Sequence, residues 1–215
     1  KWSITVGDMV ASGALVGPRT FSTTESLRCG ADGLDDQNNR PIATLDDARE
    51  HVRRKARKGV PSVKDFRLCT RAQRQMLGVA AREAGLTLTA EAGDLMWNLG
   101  LVMGGHAGWE HWIPLAPLYR DVTEFLGRAG THYSPNLFLA EWPHGSALEY
   151  YLGQQDLWED GRLRTWYPWP ALAARRSFVR KPLDQYMLPL IAQGAADIKR
   201  AGGRVATGGH GEIHG

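Results

Sequence analysis

The chain has 215 residues, 43% of them apolar, and a formal net charge of +3. That is ample apolar material for one large domain and argues against disorder, while the modest, scattered positive charge argues against a nucleic-acid-binding surface. No run of about eighteen apolar residues occurs, so no membrane span is predicted, and no charged-then-apolar leader opens the chain.

Residues near Ile4 to Ala14 read as the end of a helix, broken by Gly17-Pro18 before a short strand at Thr20-Phe21-Ser22-Thr23. Residues 24 to 43 read as a Gly/Asp/Asn-rich loop. Thr44-Leu45-Asp46-Asp47 offers an N-cap with an acidic first turn, and Leu45, Ala48, Val52 and Ala56 follow at helical spacing. The basic run Arg53-Arg54-Lys55-Ala56-Arg57-Lys58 suits the exposed last turns of that helix, where the macrodipole favours cations. Gly59 ends it, and Ser62 to Phe66 form a strand. Thr70-Arg71-Ala72-Gln73 is a capping box that opens a helix through Ala84, closed by Gly85. Leu86 to Ala90 form the next strand, ending at Glu91.

A short apolar helix over Leu95 to Met103 leads to a strand at Trp109 to Trp112. A helix from about Pro117 to Ala129 precedes a strand at His132 to Ala140. Residues 141 to 183 form a long excursion rich in Trp, Tyr and Arg, with short helices around 147 to 164 and 170 to 178. Leu183 to Ala201 is helical, with Pro189 marking a kink or the true start, and Arg204 to Thr207 is the last strand. Strand and helix alternate about six times with short turns, which predicts parallel βα units. Reactive residues at successive strand ends, with no G-x-G-x-x-G after a strand, favour a barrel over an open doubly wound sheet.

Several residues at those strand ends can carry chemistry. Lys64, inside a buried strand, is driven toward the neutral amine, the form that reacts with CO2 to give a metal-bridging carbamate. The plainer alternative is a barrel lysine paired with a carboxylate. His111 stands at a strand end as a zinc ligand or a hydrogen-bonded structural residue, with His106 five residues earlier in a Gly-rich turn. Glu91 is a ligand, a base or a helix N-terminal carboxylate. His210 lies among Gly208, Gly209 and Gly211, where the backbone permits close approach of a substrate or metal, or where a loop imidazole is simply exposed. Cys29 and Cys69 lack any Cys-x-x-Cys or Cys/His spacing and read as free thiols. The eight tryptophans fall mostly in predicted loops and connecting helices, where they line pockets or pack beneath long loops.

Taken together, Gly17 to Thr23, Leu45 to Arg49, Ser62-Val63-Lys64, Gln73-Arg74-Gln75, Gly105 to His111 and Gly208-Gly209-His210-Gly211 resemble the amidohydrolase superfamily. The resemblance is to its imidazolonepropionase-like and prolidase-like branch, in particular to amidohydrolase domains fused to TolB-like β-propellers in exported bacterial proteins. It implies a partial (β/α)8 TIM barrel of the metal-dependent hydrolase type, with about strands three to eight present. It also implies that residues 1 to 215 are one incomplete barrel domain truncated at both ends, with residues 141 to 183 as a Trp-rich insertion. By position, Lys64 corresponds to the carboxylated strand-four lysine and His111 to the strand-six histidine ligand.

Three departures stand out. Glu91 occupies the place of a strand-five histidine, and His210 that of the strand-eight aspartate base. A histidine near pKa 6.5 can take a proton from water at neutral pH. The His-x-His of strand one is missing, since no two of the seven histidines are separated by one residue, so the polypeptide alone is expected not to turn over.

The resulting expectation is a hydrolase acting on an amide-like C–N bond of a cyclic amide, dipeptide or related small substrate through metal-activated water. Lys64, Glu91 and His111 are its metal ligands, His210 its catalytic base and His106 a substrate-binding residue. The cofactors are one or two divalent ions, zinc on ligand softness, with CO2 for lysine carboxylation. The partners are a small-molecule or peptide substrate, the remaining barrel segments and an N-terminal propeller, and the resemblance suggests a periplasmic or secreted setting. The alternatives are a noncatalytic binding or scaffold domain with a degenerate metal site, and an open α/β binding domain unrelated to this superfamily.

Overall fold

The structure, a computed structural model, describes residues 2–28, 41–66, 70–141, 147–152, 154, 159–166, 168–170, 173 and 181–209. The chain divides into two compact units, Lys1–Trp109 and Glu110–Gly215. Cys29, Cys69 and His210 lie outside the described residues.

In the first unit, helix α1 (Trp2–Ala11) precedes strand β1 (Leu27–Arg28). The strand expected at Thr20 to Thr23 is irregular chain, and its hydroxyl side chains engage the backbone groups of Thr24 just beyond it. Thr24 N–H donates to the Ser22 hydroxyl at 2.9 Å, and the Thr23 hydroxyl donates to the Thr24 carbonyl at 3.4 Å. Short hydroxyl side chains compete with ladder hydrogen bonds in this way. Thr24 also turns the chain with a φ of 58°.

Buried charge pins the segment that follows. Lys55 Nζ, on helix α2 (Leu45–Ala56), donates to the Thr24 hydroxyl at 3.2 Å and to the Glu25 carbonyl, while Lys58 Nζ reaches the Glu25 carboxylate at 2.6 Å. Burial pushes the Glu25 carboxyl up, but hydrogen bonds from Lys58 and Thr24 and the charge of Lys55 outweigh it and hold the group at about 2. Arg53, Arg54 and Lys55 occupy the last turn of α2 as expected, yet Lys55 is buried rather than exposed.

Helix α2 begins at the capping box of Thr44 and Asp47, and helix α3 (Arg71–Glu83) at that of Thr70 and Gln73. Gly59 and Gly85, with φ of 72° and 68°, turn the chain out of these two helices. Strand β2 (Ser62–Phe66) lies between β1 and β3 (Thr87–Glu91), parallel to both. The register sets Leu27 against Asp65, Lys64 against Thr89 and Asp65 against Ala90. Helix α4 (Leu95–Met103) returns the chain to β4 (Gly108–Glu110), entered by an Ala107 N–H to Leu88 carbonyl bond of 2.8 Å. Leu27, Val63 and Leu88 turn toward Ala48, Val52, Leu77 and Ala81 of α2 and α3, forming the core between strands and helices.

In the second unit, helix α5 (Arg120–Arg128) leads to β5 (His132–Ser134). The expected strand to Ala140 stops early: Asn136 adopts a left-handed φ of 45°, and Leu137–Leu139 forms a 3-10 turn. Helices α6 (Ala147–Leu152) and α7 (Gly161–Trp166) lie in the excursion, with Trp166 and Trp169 exposed. Helix α8 (Leu188–Arg200) carries Pro189 in its first turn, where the missing N–H costs nothing, and β6 (Arg204–Val205) pairs parallel with β5. Gly127 lets α5 approach the end of α8, since an added Cβ would meet the Ala201 Cβ at 2.4 Å.

Candidate active site

Strand β2 sorts its side chains by parity. Val63 and Asp65, both fully buried, face the helices, whereas Ser62, Lys64 and Phe66 take the opposite face. On β3 the parity is the same: Leu88 and Ala90 face the core, which leaves Thr89 and Glu91 beside Lys64. Because Lys64 pairs with Thr89, Glu91 is its diagonal neighbour, within reach of a long side chain. Lys64 Nζ and Glu91 Oε2 stand 2.9 Å apart, with side chains only 14% and 9% exposed.

Burial pushes the Lys64 ammonium below the ordinary lysine range, against the opposing hydrogen bond and charge of Glu91 and the charge of Asp65. An amine so placed is closer to its nucleophilic neutral form than a surface lysine. Phe66, two positions further along the same face, carries the Arg28 guanidinium 4.6 Å over its ring.

His106, expected as a substrate-binding residue, sits across β2 from Lys64. Its ring lies on the core side of β2, where Nε2 meets Asp65 Oδ2 at 3.2 Å and Nδ1 meets the Leu101 carbonyl at 3.2 Å. Its side chain is 1% exposed and that of Asp65 is 0%. Both ring nitrogens are therefore engaged by protein oxygens, and the face that carries Lys64 is the other one. Asp65 is a residue the sequence reading passed over, although a carboxylate in step with Val63 signals a buried charge in need of a partner.

His111, in the second unit, directly follows Glu110, the last residue of β4, and has a φ of 73°. A non-glycine residue in this region is uncommon, and such backbone conformations gather at functional sites. Two residues on, Ile113 N–H donates to the Tyr133 hydroxyl oxygen at 3.3 Å. Burial pushes the Tyr133 phenol above its ordinary value, against the effect of that N–H.

Of the five site residues expected from sequence, Lys64 and Glu91 are brought into direct contact and His106 stands behind them. His111 belongs to the second unit. Lys64 and Glu91 fit a metal in part: a lysine carbamate and a carboxylate are anionic oxygen donors, and they supply two of the several ligands a divalent ion takes. Among the described residues no group of three or more His, Cys, Asp or Glu side chains gathers at one point.

No protein-family model and no curated protein sequence matches the chain. Solved structures do. A Xaa-Pro dipeptidase with methionine bound in its active site matches with a TM-score of 0.59 and 16% identity, over 96% of this chain and 51% of that one. The A. niger ochratoxinase matches at 0.60 and 13%, over 96% and 49%. Molinate hydrolase matches at 0.55 and 14%, over 95% and 47%. The chain thus spans about half the length of the structures it resembles. At such identities the likeness carries the fold alone, and that fold is α/β, part of a (β/α)8 barrel of the kind found in prolidase- and amidohydrolase-type proteins.

Proposed function

We propose that the chain carries part of the site of a metal-dependent hydrolase that cleaves an amide-like C–N bond in a cyclic amide, dipeptide or related small substrate. The observation that carries this reading is the 2.9 Å approach of Lys64 to Glu91 on one face of two parallel strands, with the lysine poorly solvated. The neutral Lys64 amine adds CO2 to give the carbamate with loss of one proton to solvent, which leaves the neighbouring Glu91 carboxylate ionised. Lys64 as carbamate and Glu91 in the first unit, and His111 in the second, are the residues that would act as ligands to divalent ions, one or two of them and zinc by preference. When bound, the metal polarises the scissile carbonyl and activates water.

The remaining roles are assigned to this chain's own groups. His210, by its place in the sequence, serves as the base that takes a proton from water. His106 acts from behind β2, holding Asp65 and through it the strand that presents Lys64. The substrate and the other barrel segments complete the site, and a propeller and an exported setting remain part of the reading.

A noncatalytic scaffold is the second reading, favoured by the same ion pair, since an amine already satisfied by a carboxylate needs no metal. Exposed Trp166 and Trp169 would then serve a binding surface. Metal analysis and 13C NMR after growth with labelled bicarbonate separate the two. One or two zinc or manganese ions per chain and a carbamate resonance support the hydrolase; metal-free protein with an unmodified lysine supports the scaffold.

A further inference from the structure

Strand β5 ends at Ser134, and two residues beyond it Asn136 turns the chain with φ 45° and ψ 57°. Asparagine visits this left-handed region more readily than most residues, because its short amide can bond to nearby groups. Asn136 precedes the 3-10 turn Leu137–Leu139, yet its side chain makes no capping bond there. The amide is turned sideways instead. The Ser134 hydroxyl donates to Asn136 Oδ1 at 3.4 Å. Gly208, three residues past the end of β6, runs so close that an added Cβ would stand 1.4 Å from Oδ1 and 2.6 Å from Ser134 Oγ. A Cα–H group set against that atom suits an oxygen and would crowd an NH2, which decides the way round of the amide.

Nδ2, across the amide from Oδ1, faces away from Ser134 and Gly208. Asn136 is only 5% exposed, and among the described residues no acceptor takes the Nδ2 hydrogens. A buried donor without a partner costs free energy, and native folds keep few of them. Space adjoins the amide: Gly209, the next residue, is exposed, and an added Cβ there meets nothing within 4 Å. No ion pair among the described residues involves Asn136, Ser134 or Gly208, so the surroundings suit an uncharged acceptor.

We propose that Asn136 is a substrate-binding residue whose Nδ2–H holds the carbonyl oxygen of an amide at the carboxyl ends of β5 and β6, with Gly208 keeping its side chain in place. Those strand ends are the functional end of a (β/α) barrel. All the groups involved belong to the second unit. The choice of an amide as ligand rests on the hydrolase reading above; the unspent donor does not. A donor fixed before the ligand arrives gains most as negative charge develops on the carbonyl oxygen.

The test follows the Asn136 side-chain NH2 signals by NMR during titration with pyrrolidinone and N-acetylglycinamide, a cyclic and a linear amide. The thione analogue of pyrrolidinone, whose sulfur accepts hydrogen bonds poorly, and acetate serve as comparisons. Both amides should shift the NH2 signals, and pyrrolidinone should bind several-fold more tightly than its thione. Asn136→Gly keeps the left-handed backbone and deletes the amide, and Asn136→Asp replaces the donor by an acceptor of the same shape. Each should weaken amide binding by about tenfold and abolish the preference for pyrrolidinone over the thione, which a general loosening of the site would leave intact. Gly208→Ala should behave likewise. Should Asn136→Asp fail to fold, Asn136→Gly and the wild-type signals carry the test. Amide binding that leaves the NH2 signals unmoved and survives Asn136→Gly overturns the proposal and spares the hydrolase reading. So does acetate bound more tightly than either amide, and wild-type protein that binds neither amide overturns it outright. Metal-free, carbamate-free protein that still binds amides through Asn136 supports the proposal and removes the hydrolase reading alone.

Discussion

Lys64 and Glu91 meet across two parallel strands with Nζ and Oε2 2.9 Å apart, each of them largely withdrawn from water. Burying an ion pair seldom stabilises a fold over well-packed apolar residues, whereas removing one partner is costly. Glu91→Leu is therefore expected to destabilise the protein by about 3 kcal/mol in urea unfolding, and Lys64→Met/Glu91→Leu to recover most of that loss. A double variant no better than Glu91→Leu alone would show that the pair is kept for stability. In metal uptake, Lys64→Ala should abolish binding, and occupancy equal to wild type would contradict the carbamate role.

The Glu25 cluster makes an acid-sensitive joint at the entry to β1. Its carboxyl is held at about 2, below the ordinary 4.5, so its contribution is complete above pH 4.5 and is lost as pH falls through 2. Unfolding free energy followed from pH 6 to pH 2 should fall less steeply in Glu25→Gln than in wild type below about pH 4.5. Parallel curves would refute the assignment.

His106→Ala removes the imidazole that hydrogen-bonds the buried Asp65 carboxylate, at a cost of about 1–3 kcal/mol. The expected signature is a lowered unfolding midpoint. If a substrate is found, a change confined to KM with stability intact would instead restore a direct contact between His106 and substrate.

Gly127→Ala should destabilise the second unit, since the new Cβ would lie 2.4 Å from the Ala201 Cβ and 2.5 Å from its carbonyl oxygen. Overpacking of this kind costs about 1–3 kcal/mol. Gly130→Ala makes a useful contrast: its added Cβ meets nothing within 4 Å, so its cost comes from the φ of 66° alone. Thermal denaturation of the two variants compares steric overlap with backbone strain.

Local rules made much of the fold legible. Thr44 with Asp47 and Thr70 with Gln73 announce their helices because each capping contact spans only three residues. Ser62 to Phe66 and Leu95 to Met103 stand where periodicity puts them. The expected strands failed where local competition or a single backbone conformation intervened: hydroxyls at Ser22 and Thr23, and the left-handed Asn136.

The candidate site divides along the same line. The chain's own order of residues determined that Lys64, Glu91 and His111 stand at or near strand ends, because a period of two and a terminating glycine or polar residue are properties of neighbours in sequence. It also set Lys64 and Asp65 on opposite faces of β2. Only the tertiary structure decided that Lys64 meets Glu91, that His106 turns inward to Asp65, and that Tyr133 holds the chain beyond His111. Those contacts link residues between 20 and 41 positions apart, and strand register and helix packing, rather than any local preference, choose such partners.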